Sequence, residues 1–354
     1  MVYDRDSFQE MRCIGGFQVR LGYKFTTLRM ECAVTELRSA CVEVCMSDRK
    51  RVVGLGELLW DILPEGPQLG GAVSNFAVMA ARLGDNGAIA TRVGTDPLGR
   101  DAMTFLNGTP LDTGYIQEDF SRVTGTVTVA LEQGQPHYTI HEPVAWDFLE
   151  LTPHWLALAE QADAVCFGTL AQRSPASRRT IESFLHETRP ECVRIFDVNL
   201  RTPFFSPEIV EQSLELATIL KLNADEMPQV LSLLGFPDAA GTTPDFLLNG
   251  ARQIIDQFPV QLVAITLGAQ GSLLITRKEV DRHPGYPAKM VDTVGAGDAF
   301  TAALTHYYLR GAPLSQLNAA GNRWGAWVAS HAGAMPALPE AEREAVMHQI
   351  ASAS

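Results

Sequence analysis

Long apolar runs are missing from this 354-residue chain, and no stretch of about 18 apolar residues offers a membrane-spanning helix. The N-terminus also lacks the basic, apolar, small-residue order of a secretory signal, so the expectation is a cytoplasmic protein. Positive charge is in short supply. With 28 Lys+Arg against 41 Asp+Glu the formal net charge is −13, which argues against nucleic acid or an anionic membrane as the main partner. Any phosphate bound here must be held by local dipoles. Cysteine is scarce: Cys13, Cys32, Cys41 and Cys45 fall in the first 45 residues, and Cys166 and Cys192 lie in apolar runs. That spacing fits neither a CxxC metal site nor a disulfide framework, and reduced thiols follow. No GxxxxGK[ST] loop occurs, which excludes a P-loop kinase. Nor does Arg51-Val-Val-Gly-Leu-Gly56 complete a dinucleotide fingerprint, because Leu59 stands where its third glycine belongs.

What is present suffices for a large core: 46% of the residues are hydrophobic, enough for one large α/β domain or two ordinary ones. The first 50 residues carry a slight basic excess and little pattern, whereas the remainder is strongly acidic. A boundary near residue 50 is expected, with a poorly ordered, optional extension before it and Met46-Ser47-Asp48 as a natural start. An organelle-targeting peptide is the rival reading, and Asp4, Glu10, Glu31, Glu36 and Glu43 count against it.

From Arg51 the chain alternates. A short buried strand ends at Gly56, and Glu57 and Asp61 follow, four apart, able to hold polyol hydroxyls or simply to line a solvated turn. Gly70-Gly71-Ala-Val-Ser-Asn75 then feeds a helical run from Phe76 to Leu83, closed by Gly84. The glycines let backbone approach a ligand, and Asn75 can offer it a donor and an acceptor, unless Ser74 or Asn75 merely caps the helix. A strand over 88–93 and a helix over 100–106 come next. Thr124, Thr126, Thr128 and Tyr138 alternate with apolar residues around Gly134-Gln135-Pro136, the mark of a β-hairpin with one wet face, placed to cover a site as a lid.

After Pro153, strands at 164–167, 193–196, 219–222 and 262–266 are separated by helices near 176–186, 207–217 and 246–258. This βαβ repetition implies a mainly parallel sheet with helices on both faces, where ligands bind beyond the carboxyl ends of the strands. Polar clusters occupy those ends: Asp197, Asn199 and Arg201; Asn223 and Glu226; Thr266, Gly268 and Gly271. Any one cluster could be helix caps, but three in succession lead to the Gly-rich turn Asp292-Thr-Val-Gly-Ala-Gly-Asp298-Ala-Phe300. Such a turn opening a helix binds anions, and an acid placed beside an anion needs a chemical task. A transferring phosphoryl group, with Asp298 as base for the attacking hydroxyl, satisfies both; a plain capped helix start is the alternative.

These residues resemble the PfkB, or ribokinase-like, carbohydrate kinases. Gly70-Gly71-Ala-Val-Ser-Asn75-Phe-Ala with Gly84 is similar to the family's first signature, and Asp292-Thr-Val-Gly-Ala-Gly-Asp298 to its second. The likeness runs from about residue 51 to the end of the chain. It implies a three-layer α/β/α fold with a mainly parallel central sheet and a small β-sheet lid, its strands within about 57–72 and 112–142. It further implies ATP as phosphoryl donor, Asp298 as catalytic base, and the amides of Gly295, Ala296 and Gly297 as the anion hole. Asn223 and Glu226 would stand near Mg²⁺ and its waters, Thr266, Gly268 and Gly271 along the nucleotide, and Asn322 near adenine. Asp61, Gly70, Gly71 and Asn75 would take sugar hydroxyls. Asp292 and Thr293, with the 329–334 segment, loosely match a loop for a monovalent cation such as K⁺.

Within the family Gly56-Glu57-Leu-Leu-Trp-Asp61-Ile-Leu-Pro64 looks most like a fructokinase opening. Asp197-x-Asn199-x-Arg201 is shared with 2-keto-3-deoxygluconate kinases, where Arg201 would suit a carboxylate, and ribokinase or nucleoside kinase chemistry fits the same core. Arg82 and Arg92, the cations nearest the first signature, read as surface charges rather than phosphosugar ligands. Trp146 replaces an expected alanine and is expected to narrow the pocket. A non-catalytic sugar-binding regulator should have lost Asp298 or its glycines, and this chain retains them. The exposed edge of the lid offers a surface for a homodimer.

Overall fold

A computed structural model of the protein describes residues 8–12, 18–22, 49–64, 66–132, 135–237 and 240–352. Cys13, Cys32, Cys41, Cys45, the Met46 start and Gly134 lie outside the described residues, as does the side chain of Tyr138. The chain divides into two compact units, residues 1–49 and 50–354. In the first, β1 (Phe8–Arg12) and β2 (Gln18–Gly22) pair antiparallel.

The second unit is built from β3 (Arg51–Leu55), β4 (Leu59–Leu63), β5 (Gly66–Gly70), β6 (Asn86–Gly94), β7 (Ile116–Asp119), β8 (Gly125–Glu132) and β9 (Gln135–Ile140), then β10 (Ala164–Gly168), β11 (Val193–Asp197), β12 (Ile219–Asn223), β13 (Leu262–Thr266), β14 (Ser272–Thr276) and β15 (Val280–His283). Its helices are α1 (Ala72–Leu83), α2 (Pro97–Asn107), α3 (Pro153–Gln161), α4 (Pro175–His186), α5 (Pro207–Leu216), α6 (Glu226–Leu233), α7 (Pro244–Gln257), α8 (Ala296–Tyr308), α9 (Leu314–Ala329) and α10 (Glu340–Ser352). Nine strands form one sheet in the order β15-β14-β13-β12-β11-β10-β3-β6-β7, parallel except for the antiparallel β13–β14–β15 edge. Strands such as Ala-Val-Cys-Phe-Gly in β10 are buried at every position because helices cover both faces. One core gathers α3 to α7 with Phe167, Phe196 and Leu222, and the other gathers α1, α8 and α9 with Phe76, Phe300 and Trp324. This is the three-layer α/β/α arrangement of the ribokinase-like fold, with a smaller four-stranded sheet, β5-β4-β8-β9, beside it.

Two boundaries move. Helix α1 begins at Ala72 rather than Phe76, because Gly71 at φ 107° supplies its N-cap; a Cβ there would stand 2.7 Å from the Glu57 carbonyl oxygen. Within 112–142, Ile116–Asp119 is not a lid strand, since it pairs with β6 at the edge of the large sheet.

Candidate active site

Sheet order reverses between β3 and β10: the chain leaves β3 toward β6 and β7 on one side and returns to build β10 to β13 on the other. Ligand crevices open at such a reversal, beyond the carboxyl ends of the strands. Glu57 follows β3 there, and the N-terminus of α8 arrives at the same place. Gly295 caps α8 at φ 78°, and a Cβ on it would lie 2.7 Å from the Ala334 carbonyl oxygen, so glycine is required for the turn to close. The amides of Gly297 and Asp298 have no backbone partner among the described residues, while Ala296 N–H makes a long 3.3 Å bond to the Thr293 carbonyl. Unpaired amides at a helix start favour an anion.

Asp298 is half-buried in the first turn of α8, and Asn75 Nδ2 donates to its Oδ2 at 2.7 Å. That bond joins the two signatures across 223 residues of sequence. Asn75 is therefore not a cap, and Ser74 is spent on the Glu57 carbonyl, to which it donates at 2.7 Å. Burial and the neighbouring Asp197 carboxylate push Asp298 up to about 6, against Lys221, Asn75 and Arg201, which pull it down. Glu57, which is buried, accepts from Ala72 N–H at 3.2 Å and is pushed up to about 7, by burial first. Glu57 Oε2 and Asn75 Oδ1 are buried without a partner among the described residues, two acceptors beside the acid that suit the hydroxyls of a ligand.

Asp61 is half-buried with Oδ2 3.1 Å from where a Cβ on Gly70 would stand, and burial raises its carboxyl while Arg201 lowers it. Arg201 is exposed and faces Glu57, Asp61 and Asp298 electrostatically. On the far side of Gly297 lies a cleft of about 680 Å³ lined by Asn223, Thr266, Gly268, Gly271, Thr293 and Asn322, among others. Asn322 is anchored there by bonds from its Nδ2 to Ser272 Oγ and to Asn318. Asn223 Oδ1 caps α6 through the amides of Asp225 and Glu226, and Glu226 accepts from Leu200 N–H at 3.0 Å and Asn223 N–H at 2.8 Å. Both side chains are committed to backbone, so they fit a divalent ion held through its waters, the usual state of Mg²⁺ beside phosphates. Asp292 accepts from Val294 N–H and Gly333 N–H, which brings its carboxylate to the 329–334 segment; an oxygen set of this kind suits a hard cation.

Trp146 corrects an expectation. It is fully buried beneath β8, where Gly125 makes room for its indole, and Arg173 stacks 3.9 Å over its ring, so it forms no wall of the pocket. Arg92 is not a surface charge either: it is clamped by Asp119 at 3.0 Å and Glu150 at 2.6 Å. Sequence reasoning passed over Lys221, whose Nζ lies 3.0 Å from Asp197 Oδ1 and 3.1 Å from where a Cβ on Gly297 would stand. Its signal was a lone charge in the apolar strand Ile219-Leu-Lys-Leu-Asn223, since lysine is almost never buried unless paired.

Known proteins resemble this chain in sequence and in fold. A fructokinase of Klebsiella pneumoniae is 30% identical over 263 residues, 71% of this chain and 81% of its own length. Among solved structures, aminoimidazole riboside kinase from Salmonella enterica, complexed with aminoimidazole riboside and an ATP analogue, superposes with a TM-score of 0.71 at 25% identity, covering 85% of this chain and 100% of that one. Fructokinase from Vibrio cholerae, bound to fructose, ADP and calcium, gives 0.70 at 28% identity, with 84% and 98% covered. Residues 66–341 match the pfkB family carbohydrate kinase domain. A reversed sheet order, a Gly-rich helix start carrying a half-buried acid, and that match across most of the chain place this protein in the pfkB family of carbohydrate kinases.

Proposed function

We propose that this sugar kinase transfers the γ-phosphoryl group of ATP to a hydroxyl of fructose. The observation that carries the reading is the 2.7 Å bond between Asn75 and Asp298, which ties a helix start suited to hydroxyls and a helix start suited to an anion to one half-buried carboxylate. Asp298 takes the proton of the attacking hydroxyl, and the amides of Gly295, Ala296 and Gly297 meet the charge that develops on the transferring group. Asp61, Gly70, Gly71 and Asn75 hold the sugar, and the cleft lined by Thr266, Gly268, Gly271 and Asn322 holds the nucleotide. Asn223 and Glu226 are the residues that would hold Mg²⁺, which would supply charge neutralisation of the phosphates, and Asp292 and Thr293 are those that would hold K⁺. Phosphoryl transfer asks for positioning and electrostatics rather than covalent chemistry, which this donor set provides.

Arg201 favours a second reading. Its guanidinium faces Asp61, so the carboxylate of a 2-keto-3-deoxy sugar acid would find a cation to pair with, whereas neutral fructose offers it no charge. ADP release measured over fructose, ribose, 2-keto-3-deoxygluconate, adenosine, aminoimidazole riboside and fructose phosphates decides the substrate; turnover on none of them ends the kinase reading. In Asp298→Asn, kcat should fall by about 10²–10⁴-fold while nucleotide binding survives, and near-normal turnover would rule out Asp298 as the base.

A further inference from the structure

Carboxylates crowd the start of α8. Asp298 is faced by Asp197 at the end of β11, by Glu57 after β3, by Asn75 on α1, by Arg201 beyond β11 and by Lys221 on β12. Of the two cations Arg201 is exposed, whereas the Lys221 side chain is only 10% exposed. Asp197 holds that ammonium at 3.0 Å and is itself held by Thr301 Oγ1, one turn after Asp298 on α8, at 3.2 Å. The same Nζ abuts Gly297, where a Cβ would stand 3.1 Å from it.

We propose that Lys221 is a positioning residue for the base: gripped by Asp197 and seated under Gly297, its ammonium keeps Asp298 ionised among neighbouring carboxylates and keeps the anion turn in place. The inference rests on Asp298 acting as the base. A carboxylate near a second one loses its proton with difficulty, and an opposite charge at short range restores it. Here Asp197 pushes Asp298 up and Lys221 pulls it down, while Lys221 is itself held protonated by Asp197 and Asp298 against the cost of burial. The two members of one ion pair therefore act on the base in opposite senses.

The test is the acid limb of the kcat profile against pH, read on full-length Lys221→Met and Asp197→Asn. Lys221→Met should move the limb up by about one pH unit or more, an activity loss of about fivefold or more at pH 6 that is largely recovered near pH 8. Asp197→Asn should move it down. A purely structural ion pair would give losses that do not depend on pH, or shifts of the same sign, and either result overturns the proposal. Should Lys221→Met fail to fold, Asp197→Asn decides alone: a limb that stays or rises is fatal. Asp298→Asn, run in parallel, separates the two claims. If it retains turnover the base assignment fails with the inference; if it is inactive while both limbs stand still, only the role of Lys221 falls.

Discussion

Asp298 bears a cost that its chemistry explains. Burial raises its carboxyl to about 6 from an ordinary carboxylate value, so the folded state binds this proton more tightly than the unfolded chain does. The sign follows from linkage. As pH rises from about 4 to about 6, ionising a half-buried acid removes stability, and above pH 6 the whole penalty is present, on the order of 2–3 kcal/mol for a shift of this size. Asp298→Asn has nothing to ionise, and its side-chain carbonyl can still accept from Asn75. It should therefore melt a few degrees above wild type at pH 7.5 and about level with it near pH 4, while being inactive. Thermal melts of both proteins across that range check this; an unchanged difference between pH 4 and pH 7.5 would contradict an Asp298 that ionises at a cost in the folded state. Much of this residue's role was legible in the sequence, because two glycines and an acid at a helix start have few uses. Its pKa was not legible, since Asp197, Lys221 and Asn75 are remote in sequence and only folding brings their charges together.

At the scale of elements, α1 and α8 run side by side and are tied at both ends. Asn75 bonds Asp298 at their starts, and at the other end Asp85, just after α1, accepts from His306 Nδ1 at 2.8 Å and Arg310 Nη2 at 2.8 Å. Asp85 is buried, and its partners outweigh burial to hold its carboxyl below the usual range. Removing one member of such a group leaves the others uncompensated, which costs about 3–5 kcal/mol. Asp85→Ala should lower the urea midpoint accordingly and blur the register of Asn75 against Asp298, so kcat should fall although Asp85 touches no substrate. Because its folded pKa is depressed, the contribution is present above the ordinary carboxylate pKa and fades as pH drops through the folded value. A variant as stable as wild type at pH 7 would show that the clamp carries no load. The elements themselves were largely legible: apolar runs of five residues and helices with Ser or Thr caps, as at Thr152, Ser206 and Thr243, announce themselves locally. The start of α1 was misplaced because its cap is a glycine held by a contact to Glu57, and Trp146 was misplaced because packing against Gly125 and Arg173 is a tertiary fact.

For the molecule as a whole, every residue assigned to the candidate site lies between Glu57 and Ala334, inside the unit that spans 50–354. The nine-stranded sheet takes both of its edge strands, β7 and β15, from that unit, and the four-stranded sheet takes all of its strands from it as well. The pfkB match begins at residue 66. A sheet complete without the first 49 residues, with its own two cores, meets the requirements of an independently folding domain. A chain beginning at Met46 should therefore keep kcat and KM within about twofold of the full-length protein, a difference worth less than about half a kcal/mol. Its melting temperature should match too, because no strand of either sheet is removed. Parallel kinetics and melts on the two chains provide the measurement. Loss of folding, or a drop in turnover that added nucleotide and sugar do not repair, would mean that the first unit supplies a part of the kinase that neither the sheet order nor the two cores reveal.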